Sequence, residues 1–303
     1  MSHSAHRRGD PVGGLIVAGG AILFGGIVVL GRFVAERGIP VSSVLSIRFA
    51  VAGLVLAAVV VLSRQSLRPA PGEGSRLVGL GAVGYAVESA FFFLALGRGT
   101  AATVTLLFYT YPAWVAVLSA ALGMGVPGLL LGGSLVAAIS GAGLVAASSG
   151  GLDITEAGIA FALASAVAIA IYLVAFEALV RRTSVLTSSM WVSLGASAAL
   201  ATYALVTGTG RLPAGGAEWF SLLGMGVLTA GAFFLLFLGV RRLGAVRSSI
   251  IASLEPVFAA VLAYAFLDES LRAGVTLGGA LILAGAIAAS LARRAGEPEE
   301  AVP

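Results

Sequence analysis

The sequence predicts an all-α integral membrane protein with about ten transmembrane helices in two inverted five-helix repeats. Three observations carry this prediction. The chain of 303 residues is 59% hydrophobic and only 11% charged, with a mean hydropathy of +1.04. A soluble domain carries about 25% charged residues, so a chain this apolar could not cover its own surface, and lipid is its natural solvent. Apolar runs of spanning length follow one another along almost the whole chain. The two halves also match each other at spaced positions.

The runs fall at 12–35, 41–63, 75–97, 100–122, 128–148, 156–180, 184–207, 217–240, 244–266 and 273–292. They are continuous rather than alternating, which predicts helices and not barrel strands. Turn signals separate them: Gly38-Ile39-Pro40, Pro69-Ala70-Pro71-Gly72, Val126-Pro127-Gly128, Gly150-Gly151 and Pro213-Ala214-Gly215-Gly216. The first run follows Arg7 and Arg8. It is too long for the apolar part of a signal peptide and has no convincing cleavage site, so it reads as a spanning helix. The acidic, proline-containing tail 296–303 reads as disordered. Ten spans leave no room for a separate soluble domain.

All 18 basic residues are arginine. With the N-terminus inside, the inner segments hold Arg7, Arg8, Arg64, Arg68, Arg76, Arg181, Arg182, Arg241, Arg242, Arg247, Arg293 and Arg294. The outer ends hold Arg32, Arg37, Arg98, Arg211 and Arg272, and Arg48 lies within a span. This bias predicts a cell (inner or plasma) membrane protein with both termini cytoplasmic. It also explains the net charge of +4 without a nucleic-acid partner. There are no cysteines, and the two histidines, His3 and His6, lie in the N-terminal tail. Thiol, metal and histidine-based catalysis therefore have no parts within the spans, and neither an enzyme nor a cofactor is expected. No phosphate-binding Gly-x-x-x-x-Gly-Lys-Ser/Thr loop occurs, so ATP is not expected to drive this chain.

A shift of 144 residues places Phe93-Leu94 on Phe237-Leu238, Arg98 on Arg242, Ala101 on Ala245 and Pro112 on Pro256. Ala116-Val117-Leu118 then falls on Ala260-Val261-Leu262, and Gly128/Gly132 matches Gly274/Gly278 after a two-residue slip. The expected units are 1–150 and 151–295. Each holds five helices, so the second copy enters the membrane from the opposite side. Such an inverted repeat places a binding site near the midplane between the halves and gives two similar states for alternating access.

The second half carries Ser253-Leu254-Glu255-Pro256-Val257, then Phe266-Leu267-Asp268-Glu269-Ser270-Leu271, then Gly278-Gly279-Ala280-Leu281-Ile282-Leu283-Ala284-Gly285. The first half carries Phe24-Gly25-Gly26 and Arg48-Phe49. Over nearly the whole chain these features resemble the EamA-type repeat of the drug/metabolite transporter superfamily. The first repeat departs from the second by having Gly123-Met124-Gly125 where the second has Asp268-Glu269. The resemblance implies a secondary transporter that exports amino acids or related small metabolites, with the aromatic clusters pointing to aromatic amino acids as the narrower reading. Its partners would be that substrate and the lipid bilayer, with the protein a monomer or weak homodimer. Other family members carry nucleotide sugars, triose phosphates or cationic drugs. The lack of lysine, with Arg48 the only arginine well inside a span, argues against a multiply charged anion. A cationic-compound exporter stays open, as does a non-transporting receptor or scaffold, although the short loops offer a partner little surface.

Ionisable groups at mid-membrane cost about 2.5–3.5 kcal/mol and need a reason to be there. Glu88 lies near the centre of the third span, with Tyr85, Phe91 and Phe92 three or four residues away on its face. Glu255 lies near the centre of the ninth span. Either carboxylate could bind a substrate amine or a coupling proton, or could be paired for packing alone. Pro112 and Pro256 sit at equivalent positions and could be gating hinges or static kinks. Phe108, Tyr111 and Trp114 recur at three-residue spacing with Tyr109 and Thr105 alongside, as a cavity wall or as ordinary packing. Arg48 reads as a gate residue or as the partner of an acidic group. Tyr172, Trp191 and Tyr264 read as structural, as do the pairs Arg32/Glu36 and Glu177/Arg181, and Asp268 and Glu269 as solvated or capping groups. The glycine pairs Gly128/Gly132 and Gly274/Gly278 let helices approach closely and could pack the fifth and tenth spans within one chain, the default expectation, or between chains.

Overall fold

A computed structural model describes residues 10–35, 37–148, 153–267 and 273–292. Ten helices among them are long and apolar enough to cross a membrane. They are α1 (Pro11–Ala35), α2 (Val41–Leu62), α3 (Gly74–Leu96), α4 (Ala101–Phe108 and Tyr111–Ala121) and α5 (Leu129–Ser148). The second half holds α6 (Glu156–Leu179), α7 (Val185–Val206), α8 (Gly216–Leu243), α9 (Ala245–Ala252 and Glu255–Leu267) and α10 (Ala273–Leu291). Each lies within a few residues of an apolar run. Three begin where the side-chain oxygen of Thr100, Thr155 or Ser184 accepts a free N–H of the first turn. Two features break the regular pattern. A π-helical turn, Leu80–Tyr85, interrupts α3, and both α4 and α9 are discontinuous.

The repeats interlock rather than lie side by side. Helix α1 packs on α8, and α3 packs on α6. Under the repeat relation these are the same contact made twice. Helices α2 and α7, equivalents of each other, pack together, as do α5 and α10. The α5–α10 crossing is tight because glycine lets the backbones approach. A Cβ on Gly141 would lie 2.5 Å from the Gly278 carbonyl oxygen, and one on Gly274 would meet Ser148 and the Leu144 carbonyl. Within the chain only the second glycine pair packs in this way: a Cβ added at Gly128 or Gly132 would meet nothing within 4 Å. Leu129, Leu130, Val136, Leu205, Phe220 and Phe266 are exposed around the bundle, as a lipid-facing surface requires.

Hydrogen bonds tie the repeats at both rims. On the rim where α1 begins, Arg242 donates to both Asp10 oxygens at 2.8 and 3.1 Å. On the same rim the Glu73 carboxylate accepts from the backbone N–H groups of Arg181, Arg182 and Thr183 and from the Thr183 hydroxyl. On the opposite rim Thr100 N–H donates to Asp153 O at 2.8 Å, and Thr155 N–H to Arg98 O at 3.0 Å.

Candidate functional site

The site is built on the two helix breaks. Helix α4 breaks at Tyr109–Thr110 and α9 at Ser253–Leu254, positions separated by the repeat interval. Pro112 and Pro256 follow directly. They do not kink continuous helices; each sits in the first turn of a new segment, where its missing N–H costs nothing. Neither can donate to the carbonyl four residues back, that of Phe108 or Ala252. The residue before each proline is Tyr111 in one repeat and Glu255 in the other. The breaks are joined to each other. Tyr111 Oη donates to Ser249 O at 3.1 Å, and Glu255 and the Tyr109 hydroxyl act on each other electrostatically.

Helix α3 brings the second carboxylate. The π turn ends at Tyr85 and leads into the segment that carries Glu88. Glu88 is buried and accepts from the hydroxyls of Ser89 at 3.0 Å and Ser165 of α6 at 3.2 Å. Its bonded partners are therefore neutral. Arg48 of α2 is also buried, 8% exposed. Its Nη2 donates to Tyr85 Oη at 3.1 Å, and its guanidinium carbon lies 4.6 Å from the centre of the Phe49 ring. Arg48 acts electrostatically on both Glu88 and Glu255. Its Nε, like the Tyr172 hydroxyl, is buried without a hydrogen-bond partner.

Aromatic rings enclose this cluster. Tyr85 packs against Phe49, Phe233 and Tyr172 at ring-centre distances of 4.6, 5.7 and 6.3 Å. Phe108 packs against Phe92 at 5.3 Å and Tyr111 at 5.4 Å. A cavity of about 400 Å³ opens on the rim where α1 begins, lined by Phe176, Glu177, Val180, Arg181, Val240 and Arg241. Phe176 stacks on Phe237 at 3.9 Å, and Phe237 packs on Tyr172. These rings form a chain of contacts from the cavity lining through Tyr172 to Tyr85.

Arg48, Tyr85, Glu88, Tyr109, Tyr111 and Glu255 thus come together, with Phe92 and Phe108 beside them. Trp114 does not join them. It is 37% exposed although it follows Tyr111 by three residues in the same helical segment: three residues fall about 60° short of a full turn, which carries it off the buried face. Phe91 turns instead to Phe161. Tyr264 is exposed, and Trp191 donates to Leu67 O. Glu177 Oε2 accepts from the Ala245 N–H at 2.6 Å, a link between α6 and the start of α9. His3, His6, Arg7, Arg8, Glu36, Asp268, Glu269, Arg272, Arg293, Arg294, the tail and the side chain of Arg32 lie outside the described residues. Sequence reasoning passed over Ser165, Phe233 and the site role of Tyr172. Ser165 and Tyr172 are seven residues apart on α6 and so share a face, which is the signal that could have found them.

The profile of the EamA-like transporter family matches residues 11–147 and again 156–291. Among 29 matching chains of solved structure is one described only as the crystal structure of a protein. It superposes with a TM-score of 0.78 at 20% identity, covering 92% of this chain and 96% of its own. That is a likeness of fold. A comparison with curated proteins finds no match. The two profile matches together span both halves of the bundle, and the chain belongs to the EamA-like transporter family.

Proposed function

We propose that this membrane transporter is a secondary carrier exporting amino acids, aromatic ones preferred, or closely related metabolites, by alternating access around the Arg48–Glu88–Glu255 cluster. One observation carries the proposal. Arg48 and Glu88 are buried beside the place where two symmetry-related helices break, and half-buried Glu255 stands at one of those breaks. Each would cost about 2.5–3.5 kcal/mol at the centre of a lone helix, so their joint presence calls for a use. A substrate ammonium would meet Glu88 or Glu255, with the Phe108 and Ala252 carbonyls as further acceptors. A proton would occupy the same carboxylate on the return step. The rings of Tyr85, Phe108 and Tyr111 would take the side chain. Guanidinium beside carboxylate favours a zwitterion over a plain cation. Pro112 and Pro256 would let the half-helices reorient as the interlocked repeats rock. The rim where α1 begins holds Arg64, Arg68, Arg76, Arg181, Arg182, Arg241 and Arg242, against Arg37, Arg98 and Arg211 opposite. This supports placing that rim on the cytoplasmic side.

Counterflow of labelled amino acids in proteoliposomes tests the reading. Saturable flux is expected in the wild type, with a fall of about tenfold or more in Glu88→Gln, as loss of a charge-assisted contact predicts. Unchanged flux in Glu88→Gln would remove that residue from the site. No flux of any amino acid by folded wild-type protein would refute the substrate class.

A further inference from the structure

We infer that Arg48 is the anchor for the substrate's carboxylate and the residue by which the carrier tells an amino acid from its decarboxylated amine. The inference rests on the amino-acid reading above. Arg48 is held on two sides already: Nη2 by the Tyr85 hydroxyl and the guanidinium plane by the Phe49 ring. Its Nε–H, buried and without a partner, is left for a ligand. The nearby carboxylates do not fill that place. Glu88 is engaged by Ser89 and Ser165, and neither glutamate bonds the Arg48 Nε. A guanidinium presents its donors as a rigid planar fork that suits an added carboxylate. The buried, unpartnered Tyr172 hydroxyl, on a ring packed against Tyr85, supplies a second donor.

An α-amino acid carries its two charges one carbon apart. A site that receives it must set an acceptor of ammonium beside a donor to carboxylate, and here Arg48 acts beside both glutamates. The decarboxylated amine satisfies the glutamates but leaves the Arg48 donor buried and unmet. A site that bonds a polar group rejects the analogue lacking it more strongly than an apolar pocket rejects a shape difference.

The test uses the full chain in proteoliposomes, with labelled phenylalanine competed by unlabelled phenylalanine, phenethylamine or phenylalanine methyl ester. In the wild type, phenylalanine should compete at least about tenfold more tightly than either analogue lacking the carboxylate charge. In Arg48→Gln, with labelled phenethylamine as the tracer, that preference should shrink to within about threefold, and Arg48→Lys should restore part of it. The wild-type comparison alone decides if Arg48→Gln does not fold. Equal competition by amine and amino acid in the wild type overturns the inference. So does an Arg48→Gln protein that keeps the preference or loses both ligands in parallel, while amino-acid export by the wild type would still stand. A wild type that carries no amino acid overturns both.

Discussion

Glu73 shows how much a single loop residue can hold. Burial pushes its carboxyl up, but the Thr183 hydroxyl and the N–H groups of Arg181, Arg182 and Thr183 outweigh that and bring it down from 4.5 to about 2. A depressed value in the folded protein means that the clasp stabilises fully above pH about 4.5 and loses its contribution as pH falls toward 2. The melting temperature in detergent should therefore be insensitive to this group from pH 8 to 5 and fall at lower pH. Glu73→Gln should cost about 1–3 kcal/mol at neutral pH and flatten the acid-side fall. An unchanged melting curve would show that the clasp holds nothing. Nothing in the sequence marks Glu73, because its partners lie 108 to 110 residues away in another loop. Arg48, Glu88 and Glu255 were legible for the opposite reason: a charge inside an apolar run stands out. Ser165, Tyr172 and Phe233 do not stand out, since hydroxyl and aromatic residues are common in membrane helices.

At the scale of the element, each helix was readable from its apolar run, but the interruptions were not. The π turn in α3 has no composition signal. Pro112 and Pro256 announced irregularity without saying that the helices would break before them. The matched glycine pairs also split. Gly274 and Gly278 meet α5, whereas Gly128 and Gly132 face open space, because equivalent sequence does not guarantee an equivalent neighbour. Within the departure at Gly123-Met124-Gly125, Gly123 and Gly125 have φ of +70° and +107°, a backbone that residues with a side chain rarely adopt. Gly278→Leu should overpack the α5–α10 crossing and cost about 1–3 kcal/mol. Gly132→Leu should change stability by no more than about 0.5 kcal/mol. Thermal unfolding of the two variants in detergent checks the contrast, and equal effects would contradict the assigned packing.

At the scale of the molecule, composition and the repeat interval foretold a bundle of inverted halves, and the structure adds that the halves interlock. Contacts α1–α8 and α3–α6 cross from one repeat to the other, so neither repeat is a separable body. Sequence cannot show this, because it depends on which apolar faces meet. The interlocking encloses the charged cluster between α2, α3, α4, α6 and α9, with the Phe176–Phe237 stack leading from the cavity lining to Tyr172. A carrier must expose such a cluster to each side in turn. The chain has no cysteine, so a single one can be read without background. Ser165 is fully buried and donates to Glu88, which makes Ser165→Cys the direct reporter. The measurement is its labelling by a membrane-impermeant thiol reagent applied to each face of oriented, sealed vesicles, with and without saturating phenylalanine. The account predicts labelling from both faces, slowed in each case by the amino acid. Labelling from neither face, or from one face alone regardless of the amino acid, would contradict it.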